Sequence, residues 1–215
     1  MDRISICESL LNRNKIDPFL KWVVTGDKNW VTYDNVKRKR SWSKANEAAQ
    51  TVAKPGLTAR KVLLSVWWDW QGILYYELLP YGQTLNSALY CEQLDRLKLA
   101  IEQKRPALVN RRVIVFHQDN ARPHTSLMTR QKLRELGWEV LMHPPYSPDL
   151  APSDYHLFLS MANALGGTNL ASLEACENWL SEFFANRGKS FYERGIMKLD
   201  SRWQQVIEQN GAYLT

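Results

Sequence analysis

The stretch around which the chain is organised is residues 113–158, VIVFHQDNARPHTSLMTRQKLRELGWEVLMHPPYSPDLAPSDYHLF. It begins with an apolar run, residues 113–116, whose β-branched and aromatic side chains predict a buried strand. The run ends at His117, and helical periodicity follows over about residues 125–136. Asp119 is therefore predicted at the carboxyl end of a buried strand, where open α/β sheets collect ligands and catalytic groups.

A second acidic position follows in the same stretch. Residues 138–142 predict a further strand, and a proline-broken turn over residues 143–153 leads to Asp154 at the start of a helix over residues 155–165. Strand and helix alternate here, and this pattern is typical of neighbouring strands in one sheet. Asp119 and Asp154 are thus expected on adjacent parts of one sheet.

A third aspartate lies near the start of the chain. Residues 19–27 predict a strand that residues 30–33 continue, and Asp27 lies inside this apolar run. A lone buried carboxylate is costly unless it has a partner or a metal ion, so Asp27 needs one of these. The alternative interpretation is a turn aspartate that follows Gly26 in a hairpin.

The remaining pattern completes an α/β fold. Residues 62–69 and 73–79 predict two strands joined by a short glycine-containing turn, and Asn86 or Ser87 begins a helix that ends before Pro106. Short hairpin links followed by strand–helix alternation indicate a mixed five-stranded sheet flanked by helices. Extra helices complete the C-terminal part, and residues 1–215 are predicted to form one domain.

Composition narrows the class of protein. A hydrophobic content of 45% excludes a disordered chain, and Lys plus Arg (28) exceed Asp plus Glu (22). The basic pI of about 9.2 favours a polyanionic partner or belongs simply to a basic enzyme. Three widely spaced cysteines favour a reduced intracellular protein. No apolar run has the length of a transmembrane span, so a soluble protein that does not bind membranes is expected.

A basic segment over residues 36–61 interrupts the regular pattern. Long excursions of this kind are usually functional or disordered. Basic side chains around a tryptophan suit DNA phosphates together with a stacking surface, and the candidates are Lys37, Arg38, Lys39, Arg40 and Trp42. The alternatives are a solvated charge run and a nuclear-import signal, the latter of which predicts a nuclear protein.

The three aspartates together indicate a metal site. Carboxylate oxygens suit Mg²⁺ or Mn²⁺, and two such ions about 4 Å apart can promote in-line displacement at phosphorus. Asp149 competes with Asp154 for the third position, but its flanking prolines favour a turn-capping role. Asp27, Asp119 and Asp154 are therefore the predicted catalytic and metal-binding residues.

Other polar residues surround these aspartates. The four histidines, at positions 117, 124, 143 and 156, could contact phosphate or orient water, but they lack metal-ligand spacing. Packing or hydrogen bonding to the turn backbone is the favoured interpretation. Arg122 is a candidate phosphate contact because guanidinium binds phosphate bidentately; a solvated loop arginine is the alternative.

Three segments closely resemble the catalytic domain of mariner transposases: residues 24–27 (VTGD), 117–124 (HQDNARPH) and 143–156 (HPPYSPDLAPSDYH). The resemblance extends to residues 66–69 (VWWD) and to the pairs at 195–196 and 202–203. It therefore spans nearly the whole chain. Thirty-four residues lie between Asp119 and Asp154, as between the second and third catalytic aspartates of that family.

The resemblance implies a ribonuclease H-like fold in which Asp27, Asp119 and Asp154 hold two divalent metal ions. It implies cleavage of double-stranded DNA at transposon ends and strand transfer into target DNA. It also implies that residues 36–61 correspond to the family's clamp loop, which reaches the partner subunit of a homodimer.

The chain departs from the family pattern in two respects. Lys28 replaces the acidic residue that usually follows the first catalytic aspartate, and strand alternation predicts that Lys28 points away from Asp27. Nothing upstream of Asp27 has room for the family's paired helix-turn-helix modules. The chain is therefore expected to be a catalytic fragment that recognises transposon ends weakly.

The leading functional hypothesis is a metal-dependent transposase catalytic domain. The alternative is a transposase-derived DNA-binding or dimerisation module in which Lys28 marks impaired catalysis. A third hypothesis, a ribonuclease on the same fold, predicts cleavage of RNA–DNA hybrids and is disfavoured by the family-specific segments.

Overall fold

The computed structural model describes residues 2–35, 60–80, 82–110 and 114–214, and within them five strands form one sheet. The strands are β1 (Val23–Thr32), β2 (Lys61–Asp69), β3 (Gly72–Leu79), β4 (Val115–His117) and β5 (Glu139–Val140). Their order is β3-β2-β1-β4-β5. β1, β2 and β3 pair antiparallel, whereas β1–β4 and β4–β5 pair parallel. The predicted mixed five-stranded sheet is confirmed.

Helices cover both faces of this sheet. They are α1 (Arg3–Ile16), α2 (Ser87–Lys104), α3 (Pro106–Asn110), α4 (Arg122–Thr125), α5 (Leu127–Glu135), α6 (Leu159–Leu165), α7 (Leu173–Ala185) and α8 (Lys189–Glu208). Asn86, rather than Ser87, caps α2 by accepting a hydrogen bond from the backbone N–H of Leu89. In the described part of the chain, no helix combines the length and the apolar content needed to cross a membrane.

The core divides into two apolar clusters, one on each face of the sheet. Alternate side chains of β2 enter opposite clusters: Val66 and Trp68 pack with α1, α6, α7 and α8, while Trp67 packs with α2, α3 and α5. Because both faces are covered, β2 is buried along almost its whole length. The central strands that carry the candidate residues are therefore fixed from both sides.

The structure corrects several predicted boundaries. The strand predicted over residues 138–142 pairs only at Glu139–Val140, because β4, the strand with which it pairs, is itself only three residues long. The helix predicted over residues 125–136 is interrupted at Ser126, whose hydroxyl accepts a hydrogen bond from the backbone N–H of Thr129 and caps α5. Lys61 belongs to β2, not to the preceding basic segment.

Gly26 provides a test of the packing beside the candidate site. It pairs with Trp67 across β1 and β2, and a Cβ atom at Gly26 would overlap the buried indole ring. Gly26→Ala is expected to lower the free energy of unfolding by about 2–3 kcal/mol, measured by urea denaturation, because the central sheet cannot move aside.

Gly188→Ala is the matched control for Gly26→Ala. Apart from its chain neighbours, no described residue has an atom within 4 Å of the added methyl group, and Gly188 is only the N-cap of α8. Its expected cost is below about 1 kcal/mol. Equal losses of stability in the two variants would contradict the overlap with Trp67.

Candidate active site

Two of the three candidate carboxylates meet because their strands lie side by side. β1 and β4 run parallel, with Thr25 opposite His117. Asp27 and Asp119 each follow this pair by two residues, so they lie at the same level of the sheet. Adjacent strands are about 4.8 Å apart, and this spacing brings the two carboxylates within electrostatic reach of each other.

Asp154 reaches the same place from a π-helical turn, Ser153–Phe158, that packs against β1. Turns of this kind occur frequently at functional sites. The indole N–H of Trp68 in β2 donates to the Ser153 hydroxyl over 3.1 Å. Two further bonds hold the following residues: the Tyr155 hydroxyl donates to the Gly195 carbonyl (2.7 Å) and His156 Nε2 to the Phe191 carbonyl (2.8 Å). The backbone that carries Asp154 is thus fixed to the body of the fold.

The carboxylates influence one another's ionisation. Burial, followed by the charges of Asp119 and Asp154, raises the pKa of Asp27 to about 7. Burial and the charge of Asp119 raise the pKa of Asp154 to about 6. These shifts reflect mutual repulsion of negative charges in a partly desolvated site, which a bound cation would relieve.

Asp119 is held in the ionised form. Burial pushes its pKa upward, but a hydrogen bond and ion pair with His124, the charge of Lys28 and the backbone N–H of Ala121 together hold the pKa below its ordinary value. His124 is buried and stacks on Tyr90, with ring centroids 4.2 Å apart. The predicted packing role of His124 is confirmed by this stack, but its ring bonds the Asp119 carboxylate rather than the turn backbone and so also orients Asp119.

Lys28 also contradicts the sequence-based expectation. Its Nζ atom lies 3.8 Å from Oδ2 of Asp119, on the catalytic side of the sheet. Strand alternation determines only where the Cβ atom points. The four-carbon side chain is long enough to reach from β1 to the neighbouring carboxylate beyond β4.

The candidate site opens into a cleft of about 350 Å³ whose lining includes Asp119, Asp154 and His143. Asn120 ties its two walls together by donating from Nδ2 to the carbonyl of His143 over 2.8 Å. Tyr146 lies at the rim, almost fully exposed, with a left-handed backbone at φ +53°. The cleft can admit an extended substrate segment next to the two aspartates.

A buried histidine, His117, and a half-buried one, His143, support the wall of the cleft. His117 Nε2 lies 3.2 Å from His143 Nδ1, and His117 Nδ1 lies 2.9 Å from the Thr25 hydroxyl. Burial, followed by the proximity of His143, lowers the pKa of His117 to about 3, and burial lowers the pKa of His143 to about 4. Both rings are therefore neutral at physiological pH and act as hydrogen-bonding groups rather than charges.

The other predicted positions lie elsewhere. Asp149 is buried in an ion pair with Arg3 of α1, so the prediction that it caps its own turn is wrong. Arg122 is exposed at the start of α4, and its side chain makes no hydrogen bond or ion pair with the residues that the structure describes. The candidate DNA contacts Lys37, Arg38, Lys39, Arg40 and Trp42, like residues 36–59 of the clamp-like segment, lie outside the described residues.

The donor set consists of carboxylate oxygens, which suit hard cations. Within the described ranges, no three His, Cys, Asp or Glu side chains group closely enough to enclose a single ion. Asp27, Asp119 and Asp154 lie on adjoining elements and influence one another's ionisation. The anionic oxygens and the repulsion between them suit Mg²⁺ or Mn²⁺.

Metal binding should stabilise the fold in a pH-dependent way. Without metal, native Asp27 and Asp154 keep protons that the unfolded chain releases near pH 4, so their stabilising contribution is lost as pH rises through 6 to 7. Metal ions need the ionised carboxylates. Saturating Mn²⁺ is therefore expected to raise the melting temperature by roughly 5–10 °C at pH 8 and by less than half of that at pH 5.

Differential scanning fluorimetry in Mn²⁺ and in EDTA measures this difference directly. Asp27→Asn should remove most of the gain at pH 8, because it removes a predicted metal ligand. A gain that is equal at pH 5 and pH 8 would show that the ion binds elsewhere.

Comparison with known proteins places this geometry in context. A family profile described as a transposase (partial DDE domain) matches residues 32–111. The mariner Mos1 transposase of Drosophila mauritiana is 46% identical over 214 residues, which are 99% of this chain and 62% of the relative. The chain therefore spans less than two thirds of that relative's length.

Solved structures of the same relative share the fold. The Mos1 mariner paired-end complex with Mn matches with a TM-score of 0.94 at 45% identity, covering 99% of this chain and 62% of the matched one. The Mos1 transposase catalytic domain with raltegravir and Mg matches with a TM-score of 0.86 at 42% identity, covering 99% and 95%. The ribonuclease H-like architecture that the sequence resemblance implied is thereby confirmed.

Proposed function

This chain belongs to the mariner transposase family, and on that premise we propose that it is the divalent-metal-dependent catalytic domain of a DNA transposase. It cleaves phosphodiesters at transposon ends and joins the freed 3′-hydroxyl to target DNA. The observation that carries this proposal is the convergence of Asp27, Asp119 and Asp154 from three separate parts of the sequence. A cleft beside them leaves room for a nucleic-acid strand.

Each aspartate has a distinct part in holding the ions. When bound, two Mg²⁺ or Mn²⁺ ions supply the Lewis acidity that activates an attacking oxygen and stabilises a leaving one. Asp27 lies within electrostatic reach of both other carboxylates and would be one of the metal ligands. Asp119, oriented by His124, and Asp154, carried by the anchored π-helical turn, would be the other ligands. The same residues serve cleavage and joining, because both steps displace an oxygen at phosphorus.

The polyanionic substrate is double-stranded DNA. The surplus of basic residues supports this assignment, since Lys and Arg neutralise phosphates. Exposed Arg122, close to Asp119 in the chain, and the basic residues of segment 36–61 are the proposed phosphate contacts. The Mos1 structures include paired-end complexes, and we extend that arrangement to this chain as a homodimer on two DNA ends, acting in the nucleus.

A nicking and joining assay tests the proposal. Because the chain spans only part of its relative, a short duplex with a pre-cut transposon end and a supercoiled target plasmid is a suitable substrate. Mn²⁺ and Mg²⁺ should each support end joining to the plasmid, and EDTA should abolish it. DNA binding without cleavage or joining in either metal would instead support the alternative, a DNA-binding or dimerisation module.

The same assay with an RNA–DNA hybrid as substrate distinguishes the proposed transposase from a ribonuclease. A ribonuclease on this fold would degrade the RNA strand of an RNA–DNA hybrid and leave duplex DNA intact. The proposed transposase should show the opposite preference. Selective hybrid cleavage would overturn the proposed function.

A further inference from the structure

Lys28 introduces a positive charge into the candidate metal site. Its Nζ atom lies 3.8 Å from Asp119 Oδ2, and its backbone N–H donates to Asp27 Oδ1 over 2.7 Å. The side chain is only 25% exposed, so the ammonium group is partly withdrawn from solvent. One residue thus contacts two of the three carboxylates.

No other lysine or arginine in the described ranges forms an ion pair with these aspartates. The positive charge of Lys28 favours the ionised form of all three carboxylates. In the absence of metal, Lys28 therefore supplies the positive charge that offsets their mutual repulsion.

The oxygen that Lys28 approaches is the one that a metal ion needs. Oδ1 of Asp119 already accepts hydrogen bonds from the backbone N–H of Ala121, at 3.0 Å, and from His124. Oδ2 is the oxygen of Asp119 that these two bonds leave available. An ammonium group beside Oδ2 repels a divalent cation and competes for the same lone pairs.

We propose that Lys28 is a tethered counter-ion of the metal-free site, which a divalent cation must displace from Asp119 Oδ2, so that Lys28 sets the metal affinity of this chain. This inference rests on the proposed function, because it takes Asp27, Asp119 and Asp154 as the metal ligands. Displacement requires only rotation of a flexible four-carbon side chain away from Asp119. The site therefore binds metal ions with lower affinity than the three carboxylates would without Lys28.

Direct Mn²⁺ binding tests this inference, with free Mn²⁺ followed by electron paramagnetic resonance. Lys28→Gln keeps most of the side-chain length and removes the charge, and it should bind Mn²⁺ about tenfold more tightly than the unsubstituted protein. Lys28→Arg keeps the charge and should bind with nearly unchanged affinity. Equal or weaker binding by Lys28→Gln would overturn the inference.

Lys132→Gln is the matched control. Lys132 pairs with Asp95 at 3.0 Å and its side chain is 26% exposed, close to the value for Lys28, but this pair lies outside the candidate site. Its removal should leave Mn²⁺ affinity unchanged. A tenfold gain in this variant as well would show that net charge, not the position of Lys28, determines the effect, and would also overturn the inference.

Melting temperatures give a second test, because Lys28→Gln should lower the melting temperature without metal but increase the stabilisation that Mn²⁺ provides. In EDTA, Lys28→Gln should melt at a lower temperature because the carboxylates lose their counter-ion, and in Mn²⁺ it should show the larger stabilisation. A purely structural role for Lys28 predicts the same loss in both conditions, which would count against the inference. If the unsubstituted protein binds no Mn²⁺, the proposed function fails; if it binds as tightly as Lys28→Gln, only the role of Lys28 fails.

Discussion

Asp119→Asn is expected to lower the rate of metal-dependent nicking and end joining by at least about a thousandfold while leaving the fold intact. The amide oxygen of asparagine can still accept the hydrogen bonds that the Ala121 N–H and His124 donate to the aspartate. The negative charge that binds a metal ion is lost. The variant should therefore fold normally, lose its stabilisation by Mn²⁺ and fail to cleave DNA.

Asp95→Asn is the control for this substitution. Asp95 is an exposed carboxylate whose partner is Lys132, so the same chemical change is made away from the cleft. Exposed ion pairs contribute little to folding stability, so the activity of Asp95→Asn should stay within about twofold of that of the unsubstituted protein. Retention of full activity by Asp119→Asn would refute the assignment of the active site.

Asp149→Asn, unlike Asp119→Asn, is expected to affect stability: it should lower the free energy of unfolding by about 3–5 kcal/mol. The buried Asp149 carboxylate accepts from the guanidinium of Arg3 and, over 2.9 Å, from the backbone N–H of Leu214. It thus ties the first helix and the C-terminal residues to the turn that precedes Asp154. Replacement leaves the Arg3 charge partly buried without its partner.

Asp154→Asn provides the direct comparison, because only four residues separate the two aspartates. It should abolish DNA cleavage but preserve stability in EDTA, since it relieves repulsion with Asp27 and Asp119. Urea denaturation together with the end-joining assay measures both properties. If Asp149→Asn proved as stable as the unsubstituted protein, the buried ion pair would not have the structural role assigned to it.

The sequence predicted the architecture because hydrophobic periodicity follows directly from burial. The β2–β3 hairpin, the mixed sheet and the strand that carries Asp27 all appeared in the pattern of apolar residues. Boundaries were less certain where tertiary pairing sets them. The apolar pattern predicted a strand over residues 138–142, but β5 covers only two residues, because its partner β4 is itself only three residues long.

Sequence spacing and family-like segments also identified the candidate aspartates. Parallel pairing of β1 with β4 then explains why Asp27 and Asp119, far apart in the chain, lie at the same level of the sheet. Local sequence could not reveal the partner of Asp149, since Arg3 lies 146 residues away. Nor did it identify His124 as the group that orients Asp119, because five residues across a proline turn match no regular side-chain spacing.

By itself, the sequence determined the α/β class, the order of the elements, the three carboxylates and the resemblance to a transposase family, because hydrophobic periodicity and short motifs are properties of local sequence. Only the tertiary structure decided which charges meet: Lys28 with Asp119, His124 with Asp119 and Arg3 with Asp149. Long and flexible side chains reach across several ångströms, and their partners depend on which strands and helices the completed fold brings together.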